Sequence, residues 1–284
     1  IWQTDCDGHY LKPIPNYFPP KPAGKWWRNT HRRKSHNNTD RSTEMKENNN
    51  ITNKEYWDNY WINYRYDKVP EKVVFEKFLP ILVRGKNFIE IGGFPGVFAA
   101  WFYKHGITDV TVLDFYMNRE IVHNFEKING LPEGSIQCIH TDFFSFTPER
   151  RYDIVFSSGF IEHFEDTRDV ISRHVNLLSD DGQLLILIPN FLGLNGKLQQ
   201  WFDRENLEAH NLQSMEIPYL KEIMQTFNLR DVSVEYIGKP MVWLEPKSEN
   251  KSKRKWVKML SYAVKLFPVK GKPLSPFVII YAHK

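Results

Sequence analysis

Phe88-Ile89-Glu90-Ile91-Gly92-Gly93-Phe94-Pro95-Gly96 is the stretch on which the fold turns. Its apolar first half predicts a strand. The residues from Pro95 to Lys104 predict a short helix, with Gly106 beyond its end. Between them lies a turn of small residues, where backbone can approach a ligand closely. The helix N-terminus beside it adds partial positive charge and free N–H groups. Taken alone, such a turn suits several kinds of nucleotide-bearing ligand.

Outward from this stretch the pattern repeats. Further strands are predicted at Val110–Phe115, Ser135–Thr141, Tyr152–Ser157, Gln183–Pro189, Val232–Ile237 and Phe277–Ala282. Runs such as Leu184-Leu185-Ile186-Leu187-Ile188 are apolar on both faces, as in strands covered by helices on both sides. Helical faces fall between them. Ile121, Val122, Phe125 and Ile128 share one, closed by Gly130, and Val170, Ile171, His174, Leu177 and Leu178 form another. Pro218 stands like a first-turn proline ahead of Leu220, Ile223, Met224 and Phe227. Strand–crossover–strand alternation predicts an α/β fold with a parallel, doubly wound, Rossmann-like sheet. The last two strands lack that rhythm and could pair with each other at one edge.

Acidic residues punctuate the strand ends. Glu90 stands two positions before Gly92, and Asp114 closes the second strand 22 positions after Gly92. A carboxylate at the second position can accept from both hydroxyls of a ribose. Asp142 closes the third strand and is followed by Phe143. This pair can accept from a base amino group and pack a ring on the base.

Together these residues resemble the class I S-adenosylmethionine-dependent methyltransferase family over roughly Tyr56 to the C-terminus. Tyr152-Asp153-Ile154-Val155-Phe156-Ser157-Ser158-Gly159-Phe160-Ile161-Glu162-His163-Phe164 is similar to its fourth-strand motif. Leu178-Ser179-Asp180-Asp181-Gly182-Gln183-Leu184-Leu185-Ile186 is similar to the turn into its fifth strand. The resemblance implies a seven-stranded sheet, mostly parallel, with the last strand inserted antiparallel and helices on both faces. It implies S-adenosylmethionine as cofactor and S-adenosylhomocysteine as product. It implies that Glu90, Gly92, Gly93 and Gly96 build the cofactor loop, Gly92 and Gly96 bordering the methionine and ribose portions. On the same resemblance Asp114, with Phe115 beside it, would hold the ribose hydroxyls, and Asp142 and Phe143 would hold adenine. Ser158 and Gly159 would line the methionine side, and Tyr56-Trp57-Asp58-Asn59-Tyr60-Trp61 resembles a lid helix. One departure stands out. The family loop reads acid-x-Gly-x-Gly-x-Gly, but here Phe94 takes the middle glycine position and Gly93 comes one place early.

Methyl transfer from a sulfonium needs an in-line nucleophile in a dry pocket, with a base where a hydroxyl is the nucleophile. His163, after the fourth strand, and His210, in Glu208-Ala209-His210-Asn211 after the fifth, are the candidate catalytic residues. Either also has a structural reading, and Asn190 is a comparable binding candidate.

Composition bounds the rest. Of the 284 residues 41% are hydrophobic, enough for a sizeable core, and the net charge is only +4, which selects no partner. The two cysteines, Cys6 and Cys138, form no paired framework and no metal-ligand spacing appears, so a reducing, cytoplasmic setting is expected and no metal. No apolar run approaches the roughly 18–20 residues of a bilayer span. Residues 1–50 read as an irregular Pro/Asn-rich arm. From Lys21 to Lys46 eight lysines and arginines stand against Asp40 and Glu44. Residues 51–284 read as the methyltransferase domain, with a basic amphipathic insertion at about 239–275. Its apolar stripe of Trp256, Val257, Leu260, Ala263, Val264 and Phe267 follows Lys251, Lys253, Arg254 and Lys255. Residues 251–267 suit packing on their own domain, or peripheral membrane or protein contact. The expected acceptor is a small molecule, glycan or lipid-linked compound. No nucleic-acid-binding module is visible. Competing readings are a non-catalytic S-adenosylmethionine-binding scaffold and a nicotinamide-dependent oxidoreductase. The latter needs a Gly-x-Gly-x-x-Gly loop that Gly-Gly-Phe-Pro-Gly does not supply.

Overall fold

The computed structural model describes residues 68–78, 86–242, 259–260, 262–264 and 271–284. The N-terminal arm, Tyr56–Trp61, and the insertion's Lys251–Lys258 and Phe267 lie outside the described residues.

Seven strands form one sheet in the order β3-β2-β1-β4-β5-β7-β6. They are β1 (Asn87–Ile91), β2 (Asp109–Asp114), β3 (Ile136–His140), β4 (Tyr152–Ser158), β5 (Leu178–Pro189), β6 (Arg230–Ile237) and β7 (Phe277–His283). The first five are mutually parallel; β7 runs antiparallel to both β5 and β6. The last two strands do pair, but β7 is inserted between β5 and β6, leaving β6 at the edge. β5 begins earlier than the apolar run, because Leu178 already pairs with Tyr152 ahead of the register shift.

The helices are α1 (Val97–Lys104), α2 (Arg119–Asn129), α3 (Thr167–Leu177), α4 (Leu194–Phe202), α5 (Arg204–Glu208) and α6 (Ile217–Met224). Two cores lie on opposite faces of the sheet, as the period-2 alternation of strand side chains demands. Phe88, Ile154, Phe156, Leu185, Leu187, Ile279 and Tyr281 pack under α1 and α2. Their neighbours Ile89, Val155, Leu184, Ile186, Val278 and Ile280 pack under α3 and α6.

On α2 the buried stripe is Val122, Phe125, Glu126 and Asn129, while Ile128 is 42% exposed, contrary to the apolar face expected. The reason is polar. Glu126 accepts from the amides of Gly134 and Ile136, and Asn129 accepts from Val69 N. Two turns therefore claim helix positions that an apolar count assigns elsewhere. Within the insertion, Leu260 and Val264 join Leu194, Leu198, Val242 and Leu274 in a small cluster, while Ala263 is exposed. Among the described residues, no helix is long and apolar enough to cross a membrane.

Parallel pairing brings the strand tips level. Ile91 pairs with both Leu113 and Ser157, and Asp114 pairs with His140. Gly92, Asp114, Asp142 and Ser158 thus gather at the carboxyl edge, where ligands of such sheets bind.

Candidate active site

The turn after β1 is built by glycines with different tasks. Gly92 has φ 63 and donates its amide to Leu113 O at 2.8 Å. Gly96, at φ 100, opens α1, and a Cβ there would lie 3.2 Å from side chains of Ile136 and Val112. It lets helix and sheet approach. Gly93 makes room for Glu90: a Cβ on it would lie 2.1 Å from Glu90 Cγ. The Glu90 side chain folds beneath the turn, where its Oε2 accepts from Ala99 N at 2.9 Å. Glu90 therefore braces the loop from below.

Burial pushes the Glu90 carboxyl up to about 8; nearby Asp114 adds to the rise, and the amides of Ala99 and Phe98 oppose it. The folded state holds this proton more tightly than the unfolded chain, whose glutamate ionises near 4.5. Its stabilising contribution is fully present below about pH 4.5 and is lost as pH rises through about 8. Glu90→Gln keeps an oxygen for the Ala99 amide and removes the titration. Its urea midpoint should decline less over that interval than the wild type's; parallel curves would show that Glu90 is ionised in the fold.

Asp114 is nearly buried and doubly held. Its Oδ2 accepts from Phe94 N at 3.1 Å and its Oδ1 from Tyr116 N at 2.9 Å. Burial pushes it up to about 6, against the amides of Tyr116, Phe94 and Phe115 and the charge of His140. Phe94, the residue in the glycine position, is buried edge-on to Tyr116 at 5.1 Å. Its side chain joins the core and its amide reaches Asp114. Phe115 is half-buried, and its carbonyl accepts from His140 Nε2.

Asp142 is exposed and caps the turn Phe143–Ser145 by accepting from Phe144 N. Thr141 N donates to Asp114 O at 3.1 Å, tying the two tips together. Phe143 points into the core, against Phe160 and His174. Ser158 ends β4 and Gly159 follows it with φ 66. The ring of Phe160 rests over Gly92, 2.2 Å from where a Cβ would stand. The space above the glycine turn is thus filled by a side chain.

The two candidate histidines meet. Their ring centroids are 4.8 Å apart, although 47 positions separate them in sequence. His163 Nδ1 donates to Ala209 O at 3.1 Å and His210 Nδ1 to Asn206 O at 2.6 Å. Asn211 sews their segments together: its amide donates to Glu162 O at 2.7 Å, and its Nδ2 to Phe164 O and Glu165 O. Burial pushes His163 down to about 3, with His210 adding to the effect and Ala209 O opposing it. Burial likewise pushes His210 down to about 4. Both imidazoles are neutral at pH 7 and weak as bases. Asn190 is otherwise engaged: its Nδ2 donates to Lys272 O and Ser275 O, and its Oδ1 accepts from Leu192 N. It closes the turn before β7.

Three residues escaped the sequence reading as site members: Phe160, Glu162 and Asn211. Glu162 and Phe160 stand inside the fourth-strand motif, where only three-dimensional placement distinguishes lining from packing. Asn211 adjoins His210, and an asparagine after a short helix is a recognisable turn-former.

A glycine turn, an acid at the next strand tip and a β7 insertion define a methyltransferase of the class I type. The family model described as a methyltransferase domain matches residues 60–234, and the chain belongs to that family. In fold it is similar to phosphoethanolamine N-methyltransferase 2 of Haemonchus contortus, solved with phosphomonomethylethanolamine and S-adenosylhomocysteine. Identity is 19% and the TM-score 0.52, over 74% of this chain and 51% of that one. This chain thus spans about half that neighbour's length. A SAM-dependent methyltransferase from Archaeoglobus fulgidus is 20% identical, with a TM-score of 0.49 over 74% and 91% of the two chains. No curated protein matches by sequence.

Proposed function

We propose that the chain transfers a methyl group from S-adenosylmethionine to a hydroxyl of a glycan, glycolipid or other small metabolite, releasing S-adenosylhomocysteine and the hydroxyl proton. One observation carries the cofactor half of this reading. The Asp114 carboxylate is fixed at the tip of β2 by two amides, level with the glycine turn and one strand from the exposed Asp142. A carboxylate has about four acceptor positions, so Asp114 retains acceptor capacity after both amide bonds.

The residues fit such a ligand on one condition. Phe160, a side chain and not backbone, is what lies over Gly92, so the ring must turn aside. When bound, S-adenosylmethionine supplies an electrophilic methyl on a sulfonium, so no covalent protein intermediate is needed. Asp114 accepts from the ribose hydroxyls and Asp142 from the adenine amino group. Phe115 borders the base side, whereas Phe143, expected there as well, packs in the core against Phe160 and His174. Gly92, Gly93 and Gly96 keep the turn close, and Ser158 and Gly159 border the methionine side. His163 and His210 orient the acceptor, and their burial helps exclude water. Peripheral attachment through 251–267 stays part of this proposal, supported by the basic flank of its apolar stripe.

The test supplies methyl-labelled S-adenosylmethionine with an extract of glycans, glycolipids and small metabolites, and reads products by mass spectrometry. A labelled ether together with S-adenosylhomocysteine is expected. Label on nitrogen would overturn the hydroxyl assignment. Tight binding without turnover on any fraction would favour the scaffold reading.

A further inference from the structure

We propose that Glu162, His163 and His210 form a site for one divalent transition-metal ion of the zinc type, on the acceptor side of the fold. Each of the three offers a ligand atom, and these atoms lie within 4.8 Å of one another. Ligand atoms around a tetrahedral ion with bonds of about 2.1 Å stand roughly 3.4 Å apart. Small side-chain adjustments therefore close the set.

The tautomers are already those a metal needs. Each imidazole donates Nδ1–H to a backbone carbonyl, Ala209 O for His163 and Asn206 O for His210, so Nε2 is the nitrogen through which each ring would bind an ion. A carbonyl behind the coordinating ring is the usual outer support of a metal-bound histidine. The third member carries an independent sign. Glu162 is 1% exposed, and its Oε2 has no hydrogen-bond partner among the described residues. A carboxylate oxygen buried without a partner is costly, and a cation is one group that satisfies it.

Rigidity comes from the seam between the two segments. Asn211 binds the Glu162 carbonyl from the residue next to His210, so the turn after β4 and the turn after α5 move as one. Two nitrogens and one carboxylate favour zinc or a neighbouring transition metal over magnesium or calcium, which prefer all-oxygen sets. Three protein ligands leave a position open. Glu162 Oε1 lies 3.6 Å from where a Cβ on Gly159 would stand, so the cluster adjoins the tip of β4. An acceptor oxygen fits that position. This role rests on the methyl-transfer reading; the site itself does not.

The test uses the full chain, stripped with a chelator and titrated calorimetrically with Zn²⁺ and, by visible absorption, with Co²⁺. Mg²⁺ and Ca²⁺ serve as controls, and neither methyl donor nor acceptor is present. One ion per chain is expected, with a melting temperature raised by zinc. Glu162→Gln, which is isosteric, and His210→Ala should each weaken zinc binding at least about tenfold. If His210→Ala does not fold, Glu162→Gln and the imidazole signature of the Co²⁺ complex decide. Folded wild type that takes up no ion, or an ion held as tightly by Glu162→Gln, overturns the site. Because no methyl transfer is measured, that failure leaves the proposed function standing, and a failed methylation assay leaves the site standing.

Discussion

Asp114→Ala is expected to weaken S-adenosylmethionine binding by about a hundredfold. Two hydrogen bonds from ribose hydroxyls to a carboxylate contribute about 1.5 kcal/mol each at the lower end for charged partners. Their loss, about 3 kcal/mol, is roughly two factors of ten in affinity. The substitution has a second consequence in the apo protein. The amides of Phe94 and Tyr116, now bonded to Asp114 at 3.1 and 2.9 Å, lose their acceptor in a largely buried place. That costs about 1–3 kcal/mol of stability. The two effects separate experimentally, since calorimetric titration well below the melting transition reads affinity and chemical denaturation reads stability. Lower stability with unchanged affinity would make Asp114 a loop brace only, and the ribose assignment would fail.

The middle of the sheet was legible because strands such as β5 and β7 are apolar and buried on both faces, a pattern that burial between helices imposes and little else produces. The glycine turn and the acids at the tips were legible for a related reason. Chain reversal at a strand end needs residues of restricted type, and those types stand out against apolar runs. What escaped were buried polar groups whose surroundings come from residues distant in sequence. Glu126 and Asn129 look like surface residues in a helical count, yet each closes a turn from inside the fold. Glu162 looks like a charged residue after a strand, yet it is buried beside two histidines. Partnership across long separations leaves no periodic trace. His163 and His210 could be named singly as candidates, but their meeting depends on Asn211 and on where the chain returns after β5. The Phe160 ring over Gly92 was hidden for the same reason.

The displaced glycine yields the second large effect. Gly93→Ala is expected to destabilise the protein by about 3 kcal/mol and to impair cofactor binding with it. Gly93 has no left-handed φ, so the objection to alanine is steric. The new Cβ would stand 2.1 Å from Glu90 Cγ and 2.3 Å from Cδ, distances at which something must move. Glu90 cannot swing away cheaply, because it is buried and its Oε2 holds the Ala99 amide in the first turn of α1. Overpacking of this kind costs about 1–3 kcal/mol, and an amide left without its acceptor adds about 1–3 kcal/mol more. The turn is also tied to Asp114 through Phe94 N, so a displaced turn shifts the carboxylate proposed to hold the ribose. A double-mutant cycle isolates the cause. If the clash with Glu90 is responsible, Glu90→Ala combined with Gly93→Ala should be more stable than Gly93→Ala alone, although Glu90→Ala by itself destabilises. Such coupling between touching residues runs to about 0.5–3 kcal/mol. Strict additivity in urea denaturation would mean that Glu90 does not fill the space beside Gly93. The early glycine in Gly-Gly-Phe-Pro-Gly would then lack its physical explanation: room for the brace beneath the turn, while Phe94 sends its ring to the core and its amide to Asp114.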